Sequence, residues 1–313
     1  MSELLPCERP TLYFIGVSTA SSSIMRVFPR WSEILGLGAD IRGYDAPLRA
    51  PASDYRRIVE HIAADPLALG ALVTTHKIDL LAACHDLFDT LDEHALITDE
   101  VSCISKRAGT LVGHAKDPLS SAAAWRSFVP RAQFAGDAEV LCLGGGGSAV
   151  AISVALASFA DADDRPARMT IVNRSEQRIP HLRAVHNKLD PDIAFEYLVH
   201  EDPLQNDAAL ANLPLGSVVI NATGMGKDLP GSPITGAARF PSHGLAWELN
   251  YRGELEFLHQ ARRQAENTRL HVEDGWVYFL HGWTSVIAEV FDVDIGTEAF
   301  TALDAAASDA RPQ

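Results

Sequence analysis

The sequence has little of several residue types, and each shortage argues against a class of protein. Its four cysteines form no CxxC pair and no zinc-type spacing with histidine, which argues against a disulfide framework and a structural metal. Lysine and arginine number 26 against 41 acidic residues, and the net charge of −15 argues against a nucleic-acid partner. No apolar run is long enough to span a bilayer and no cationic leader opens the chain. We therefore expect a cytoplasmic protein without a membrane partner.

What is present indicates a two-domain α/β protein. The chain has 313 residues, 47% of them hydrophobic, which is enough for a sizeable core in each of two domains. Strand and helix patterns alternate in two series, the first from "TLYFIGV" to "HKIDLLAACHDL" and the second from "AEVLCLG" to "HGLAWELNY". Such alternation predicts parallel pairing with ligand sites at the carboxyl ends of the strands.

The most specific motif lies at the start of the second series. In "EVLCLGGGGSAVAISVALA" an apolar strand runs into Gly144-x-Gly146-x-x-Ala149, and a helix of small residues follows. This is the context of a dinucleotide-binding turn, in which the glycines permit a tight turn and a close approach of backbone N–H groups to a pyrophosphate. The motif predicts cofactor contacts from Gly144, Gly146, Gly147, Ser148 and Ala149.

The next strand indicates which dinucleotide is bound. An NAD site usually has an acid at the end of this strand, whereas here the strand ends in Asn173, Arg174 and Ser175, with Arg178 nearby. A guanidinium can pair with a 2′-phosphate, so these four residues predict NADP. The later run "SVVINATGMG" adds further candidate cofactor contacts at Asn221, Ala222, Thr223 and Met225.

The order of "GALVTTHK", "GTLVGHAKD", "GGGGSA", "NRS", "NATGMG" and "DGWVYFLHGW" resembles the shikimate and quinate dehydrogenase family over most of the chain. That resemblance implies an N-terminal substrate domain (1–118), a Rossmann NADP domain (119–275) and C-terminal helices (276–313) that return to the first domain. It also implies that Lys77 and Asp117 form the catalytic pair. A lysine in a partly dry cleft beside a carboxylate can exchange a proton with a substrate hydroxyl, which agrees with that role.

The substrate half departs from the family pattern. The expected Ser-x-Ser pair reads Ser21, Ser22 and Ser23 in an ambiguous register, Asn-Thr reads Ala115-Lys116, and Ala-Val-Asn reads Glu100-Val101-Ser102. We therefore expect a related cyclic polyol, with a different or absent carboxylate, rather than shikimate itself. The candidate substrate contacts are Ser21, Ser22, Ser23, Thr74, Ser102, Tyr251 and His281.

Two alternatives to this dehydrogenase remain open. A non-catalytic NADP-binding sensor would explain the altered substrate positions, although Lys77 and Asp117 are both present. A methylenetetrahydrofolate dehydrogenase would need a Tyr-x-x-x-Lys pattern, but Val73 stands four residues before Lys77. The resemblance also leaves open a homodimer paired through an edge of the first domain.

Overall fold

A computed structural model describes residues 4–189, 192–227 and 229–311, and the chain divides into two compact units. The first unit comprises residues up to Lys116 together with Gly282 onward, and the second runs from Asp117 to His281. Both divisions lie close to the predicted bounds of 118/119 and 275/276, and the second falls inside one continuous helix. Among the helices in the described ranges, none is both long and apolar enough to cross a membrane.

The first unit is built on a six-stranded mixed sheet. Its strands are β1 (Thr11–Gly16), β2 (Asp40–Asp45), β3 (Ala68–Val73), β4 (Thr90–Leu91), β5 (Cys103–Arg107) and β6 (Thr110–His114), in the order β2-β1-β3-β5-β6-β4. β1 pairs in parallel with β2 and β3, as the alternating pattern predicts. All six residues of β1 are buried, because helices and neighbouring strands cover both of its faces.

The alternating pattern does not predict the antiparallel part of this sheet. β5 pairs antiparallel with both β3 and β6, and the β5–β6 hairpin turns through Ala108 and Gly109, which have φ values of 50° and 85°. Two-residue hairpin turns of this kind usually read Asn-Gly or Asp-Gly, so "AG" gives a weak signal.

Among the described residues, six α-helices belong wholly or partly to the first unit: α1 (Ile24–Ile34), α2 (Ala52–Ala64), α3 (Lys77–Cys84), α4 (Glu93–Thr98), the second half of α11 (Trp276–Phe291), and α12 (Thr297–Ala307). The C-terminal helices pack within this unit. The indole Nε1 of Trp31 donates to the carbonyl oxygen of Leu303 at 2.8 Å, and the Phe14 ring meets the Trp283 ring edge-on at 5.0 Å.

The second unit is a doubly wound parallel sheet, which confirms the predicted fold class. Its strands are β7 (Val140–Leu143), β8 (Arg168–Asn173), β9 (Ala194–Val199), β10 (Val218–Asn221), β11 (Leu245–Glu248) and β12 (His271–Glu273), in the order β12-β11-β10-β7-β8-β9. Its helices are α5 (Asp117–Phe128), α6 (Gly147–Ala157), α7 (Ile179–His186), α8 (Pro203–Ala211), α9 (Glu256–Arg262), α10 (Ala265–Thr268) and the first half of α11. The strand order reverses between β7 and β10, where such sheets bind ligands.

Candidate functional site

The turn after β7 brings the backbone of β7 against that of β10. Gly144 has a φ of 110°, and a Cβ at this position would lie 2.7 Å from the carbonyl carbon and oxygen of Ala222. Its N–H donates to the carbonyl oxygen of Val172 at 2.7 Å. Any side chain would therefore be both strained and in collision, so the first glycine of the motif is required by this backbone.

The second glycine of the motif leaves open space beside the start of α6. Gly146 is the N-cap of α6, and a Cβ built on it would meet no atom within 4 Å. Gly147 and Ser148 follow it half-buried at the helix start, and Ala149 is buried. The open space at this helix N-terminus suits a phosphate, so these residues fit a dinucleotide pyrophosphate.

A cleft of about 260 Å³ lies along the carboxyl ends of β7, β8, β9 and β10. It includes the motif glycines, the ends of β8 and β9, and the loop after β10. The lining residues are Leu143, Gly144, Gly145, Gly146, Val172, Asn173, Arg174, His200, Glu201, Pro203, Asn206, Ala222, Thr223, Gly224, Met225 and Pro233.

The predicted 2′-phosphate residues differ in their relation to this cleft. Arg174 is exposed and lines it, whereas Ser175 and Arg178 are exposed but are not among its lining residues. Asn173 lines the cleft and braces the turn, since its Oδ1 accepts from the N–H of Gly145 at 3.4 Å and its Nδ2 donates to the carbonyl of Ser175 at 2.7 Å.

A buried carboxylate holds the loop after β10. Glu248 is fully buried and accepts from Asn221 Nδ2 at 2.6 Å, from the N–H of Asn250 at 2.8 Å and from Asn250 Nδ2 at 2.7 Å. Asn221 Oδ1 in turn accepts from the N–H and hydroxyl of Thr223, and Asn250 Nδ2 reaches the carbonyls of Thr223 and Met225. Burial raises the pKa of Glu248 to about 7, although its N–H donors favour the carboxylate. Asn221 therefore braces the loop, whose residues 222–225 line the cleft.

Sequence reasoning did not single out His200, Glu201 or Asn206 as site residues. His200 and Glu201 follow the end of β9, and Asn206 lies on α8. The rule that ligands bind beyond the carboxyl ends of parallel strands could have found the first two, because Val199 ends a strand in the predicted series. Asn206 had no such signal.

In the first unit, Lys77 lies where β3 gives way to α3. The N–H of Thr74 donates to the carbonyl of Ile15 at 3.0 Å, which ties the end of β3 to β1. His76 is buried and its two ring nitrogens contact the Tyr55 hydroxyl at 3.1 Å and the carbonyl of Ala46 at 3.0 Å. The loop before Lys77 is thereby fixed, and Lys77 itself is half-buried as the first residue of α3.

Ser102 lies at the same edge of the first sheet. Its carbonyl accepts from the N–H of Val73 at 2.8 Å, and its hydroxyl accepts from the N–H of Lys116 at 2.8 Å. The side chain of Lys116 forms a 2.6 Å ion pair with Glu289. Lys116 thus precedes Asp117 in a segment anchored both by its backbone and by its side chain.

The three serines after β1 differ in what their hydroxyls do. The Ser21 hydroxyl donates to the carbonyl of Ser18 at 2.9 Å, and the buried Ser23 hydroxyl donates to the carbonyl of Ala310 at 3.4 Å. Ser22 is half-buried. A serine hydroxyl has one hydrogen, so Ser21 and Ser23 would have to give up these backbone acceptors to donate to a substrate group.

The remaining predicted residues belong to the second unit. Asp117 is the first residue of α5, and its carbonyl accepts from the Ser120 hydroxyl at 3.1 Å. The Tyr251 ring packs against those of Phe279, at 4.6 Å, and Trp276, at 5.9 Å. His281 is half-buried, and burial lowers its pKa.

A separate polar cluster near the amino ends of the first sheet joins Cys7, His61 and Asp65, whose ligand-type atoms lie within 4.8 Å of one another. Hydrogen bonds within the first unit explain why these three side chains lie close together. The Tyr13 hydroxyl meets His61 Nε2 at 2.8 Å, and Asp65 accepts the N–H of Cys7 at 2.6 Å. The ammonium of Lys106 donates to the carbonyl of Asp65, which places a cation where a metal would be repelled. These contacts identify the cluster as a structural one.

The fold and the glycine cleft of the second unit are those of Rossmann-type dinucleotide-binding proteins. A shikimate dehydrogenase (NADP+) of Symbiobacterium thermophilum is 30% identical to this chain over 218 residues, which are 68% of each protein. A shikimate dehydrogenase (NADP+) of Streptococcus thermophilus is 28% identical over 180 residues, and the match spans 56% of this chain and 58% of that relative's length. The chain belongs to the shikimate dehydrogenase family, as its motifs predict.

Solved structures extend the likeness in fold over nearly the whole chain. The 5-ketofructose reductase of Gluconobacter sp. strain CHM43 matches with a TM-score of 0.69 at 18% identity, covering 95% of this chain and 98% of that one. No protein-family model matches the sequence.

Proposed function

We propose that the protein is an NADP-dependent oxidoreductase that transfers hydride reversibly between NADP and a ring hydroxyl or ketone of a shikimate- or quinate-like cyclic polyol. Lys77 and Asp117 are the proposed catalytic pair. The observation that carries the proposal is the position of Lys77 in a chain of this family. Lys77 is half-buried and follows the end of β3 by four residues, and the last residue of that strand, Val73, is hydrogen-bonded to Ser102.

The cofactor proposal is supported by the cleft of the second unit. The open space at Gly146 and the start of α6 suits the pyrophosphate, and Arg174 lines the cleft where a 2′-phosphate would need a cation. When bound, the nicotinamide supplies the hydride chemistry. The chain's own residues supply binding, orientation and the handling of the proton.

Lys77 is proposed to hold or release the proton of the reacting oxygen. In the reductive direction its ammonium polarises and protonates the carbonyl oxygen, and in the oxidative direction its amine accepts the hydroxyl proton. The buried ring of His76 fixes the adjacent backbone, so that the Lys77 side chain extends from a held Cα position. Asp117 is proposed to orient the ammonium and to contact a neighbouring hydroxyl.

The substrate is proposed to carry no carboxylate, or to bind it differently from shikimate. The support is that the hydroxyls of Ser21 and Ser23 donate to backbone carbonyls, and a substrate carboxylate would have to replace both hydrogen bonds. A carboxylate requires donors, and an acceptor facing it would be repelled. The named substrate of the Gluconobacter reductase, 5-ketofructose, is a keto-sugar, which makes neutral polyhydroxylated ketones worth including among test compounds.

The test is a spectrophotometric assay of NADPH formation or consumption with a panel of shikimate, quinate, their decarboxylated and aminated analogues, and neutral cyclitols and keto-sugars. Turnover of a neutral member above shikimate is the expected result. Silence across the panel while NADP binds would overturn the enzyme proposal in favour of an NADP-binding sensor. Failure of NADP to bind would overturn both.

The catalytic assignment is tested on the substrate found in this way. Lys77→Met keeps most of the length of the unbranched side chain and removes its charge, so turnover should fall by about 10²–10⁴-fold while NADP affinity is retained. Lys188→Met, which removes an exposed lysine in the second unit outside the cleft, is the matched control and should leave turnover unchanged. Equal turnover for both variants would refute the role of Lys77.

A further inference from the structure

One end of the cleft holds a histidine that neither the glycine turn nor the catalytic proposal uses. The sheet order places β7, β8 and β9 side by side. In such sheets the pyrophosphate lies at the glycine turn and the ribose at the end of the next strand, which here are β7 and β8. The purine base then lies towards β9, where His200 follows the strand and lines the cleft.

The amide of Asn206 has a fixed orientation beside this histidine. Asn206 is only 7% exposed, and its Nδ2 donates to the carbonyl oxygen of Pro233 at 2.7 Å. A carbonyl can only accept, so the amino group must face Pro233 and Oδ1 must face away from it. Oδ1 lies 2.9 Å from Nδ1 of His200.

The orientation of Asn206 determines the tautomer of His200. Oδ1 is an acceptor, so Nδ1 of His200 carries the proton, and in a neutral ring Nε2 is then an acceptor. Throughout residues 4–189, 192–227 and 229–311, no other protein group hydrogen-bonds this ring. Nε2 is thus the ring nitrogen available to a ligand in the cleft.

We propose that Nε2 of His200 accepts a hydrogen bond from the exocyclic amino group of adenine, and that the His200–Asn206 pair thereby selects adenine over 6-oxopurine dinucleotides. This inference rests on the proposed binding of NADP. The 6-amino group of adenine donates, whereas a 6-oxo group only accepts and would face another acceptor. The N–H at position 1 of a 6-oxopurine lies further along the base edge. To donate this N–H to His200, the base would have to shift along the cleft. Contacts to the phosphates at the glycine turn and to the ribose at Arg174 oppose that shift.

The experiment measures dissociation constants of NADP and of its hypoxanthine analogue by titration calorimetry, without turnover. One hydrogen bond contributes about 0.5–1.5 kcal/mol, so the unmodified protein should prefer NADP by roughly two- to twelvefold. His200→Phe keeps an aromatic ring but removes the acceptor, and should bind the two nucleotides equally. His259→Phe, at an exposed histidine on α9 outside the cleft, is the matched control and should keep the preference.

The outcomes separate this inference from the function proposed above. Equal affinities in the unmodified protein would overturn the role of His200 even if a variant failed to fold, while leaving NADP binding intact. A preference retained in His200→Phe would also overturn it. Absence of NADP binding would overturn the cofactor proposal itself and this inference with it.

Discussion

At the scale of single residues, hydrogen bonds within the chain determine which donors and acceptors of a side chain can bind a ligand. The hydroxyls of Ser21 and Ser23 donate to backbone carbonyls, so two of the three candidate serine contacts to the substrate already have an acceptor within the chain. His200 shows the opposite case, since Asn206 uses one ring nitrogen and leaves the other as an acceptor. The residue type tells how many hydrogen-bond donors and acceptors a side chain has. Only its partners in the folded protein show which of them a ligand can use.

Two arginines of the NADP motif should differ in importance. Arg174 lines the cleft and Arg178 does not, although both are exposed and lie four residues apart. Arg174→Ala should weaken NADP binding by roughly tenfold or more, because a charge-assisted contact to phosphate contributes about 1.5–3 kcal/mol, and should affect NAD much less. Arg178→Ala should change both affinities little. Calorimetric titration of both dinucleotides tests this, and equal losses for NADP and NAD would contradict a 2′-phosphate contact at Arg174.

At the scale of elements, the ends of strands carry the candidate sites in both units. In parallel sheets these ends meet at one edge, so a polar residue after an apolar run is the best local signal. From the sequence, this rule places Lys77, the serine cluster at Ser21, Ser22 and Ser23, and Arg174 at strand ends. It does not reach residues such as Asn206, which lies within a helix and lines the cleft only because α8 packs there.

The glycine turn after β7 should be intolerant of substitution. Gly144→Ala would place a Cβ 2.7 Å from the Ala222 carbonyl on a backbone with φ of 110°. We expect a loss of about 2 kcal/mol or more in the free energy of unfolding, measured by urea titration. Gly236→Ala is the control, since its Cβ would meet no atom within 4 Å and its φ is not positive. A change there should stay within about 0.5 kcal/mol, and equal losses at both positions would contradict the steric explanation.

At the scale of the whole molecule, acidity dominates the composition, yet the most consequential carboxylate is buried and uncharged over part of the pH range. Glu248 has a folded-state pKa of about 7 against an ordinary value of 4.5. The folded protein therefore binds more protons than the unfolded chain between these values, and stability falls as pH rises through that window. His186 acts in the opposite direction, because burial lowers its pKa to about 4 and stability is lost as pH falls below its ordinary value of 6.5.

Comparison with Glu248→Gln isolates the contribution of Glu248 to the pH dependence of stability. From about pH 4.5 to pH 7 the unmodified protein should lose up to about 3 kcal/mol relative to this variant. The variant itself should be less stable, since its amide would set one donor against Asn221 Nδ2. Hydrogen exchange of peptides covering β10 and β11, corrected for intrinsic rates, measures the local free energy in the second unit. Parallel pH dependence in the two proteins would show that Glu248 does not titrate there.

The sequence by itself determined the fold class, the glycine turn and the family. These depend on local patterns, namely alternating strands and helices, a glycine spacing and the order of short motifs, which fix local backbone geometry wherever they occur. The β5–β6 hairpin was not predicted from the sequence, because its Ala108-Gly109 turn lacks the Asn-Gly or Asp-Gly pair usual at a positive φ. Tertiary structure alone decided which hydroxyls are already bonded, that Glu248 is buried, and that Asn206 orients His200. Hydrogen-bond partners and burial come from residues distant in sequence, so no local pattern encodes them.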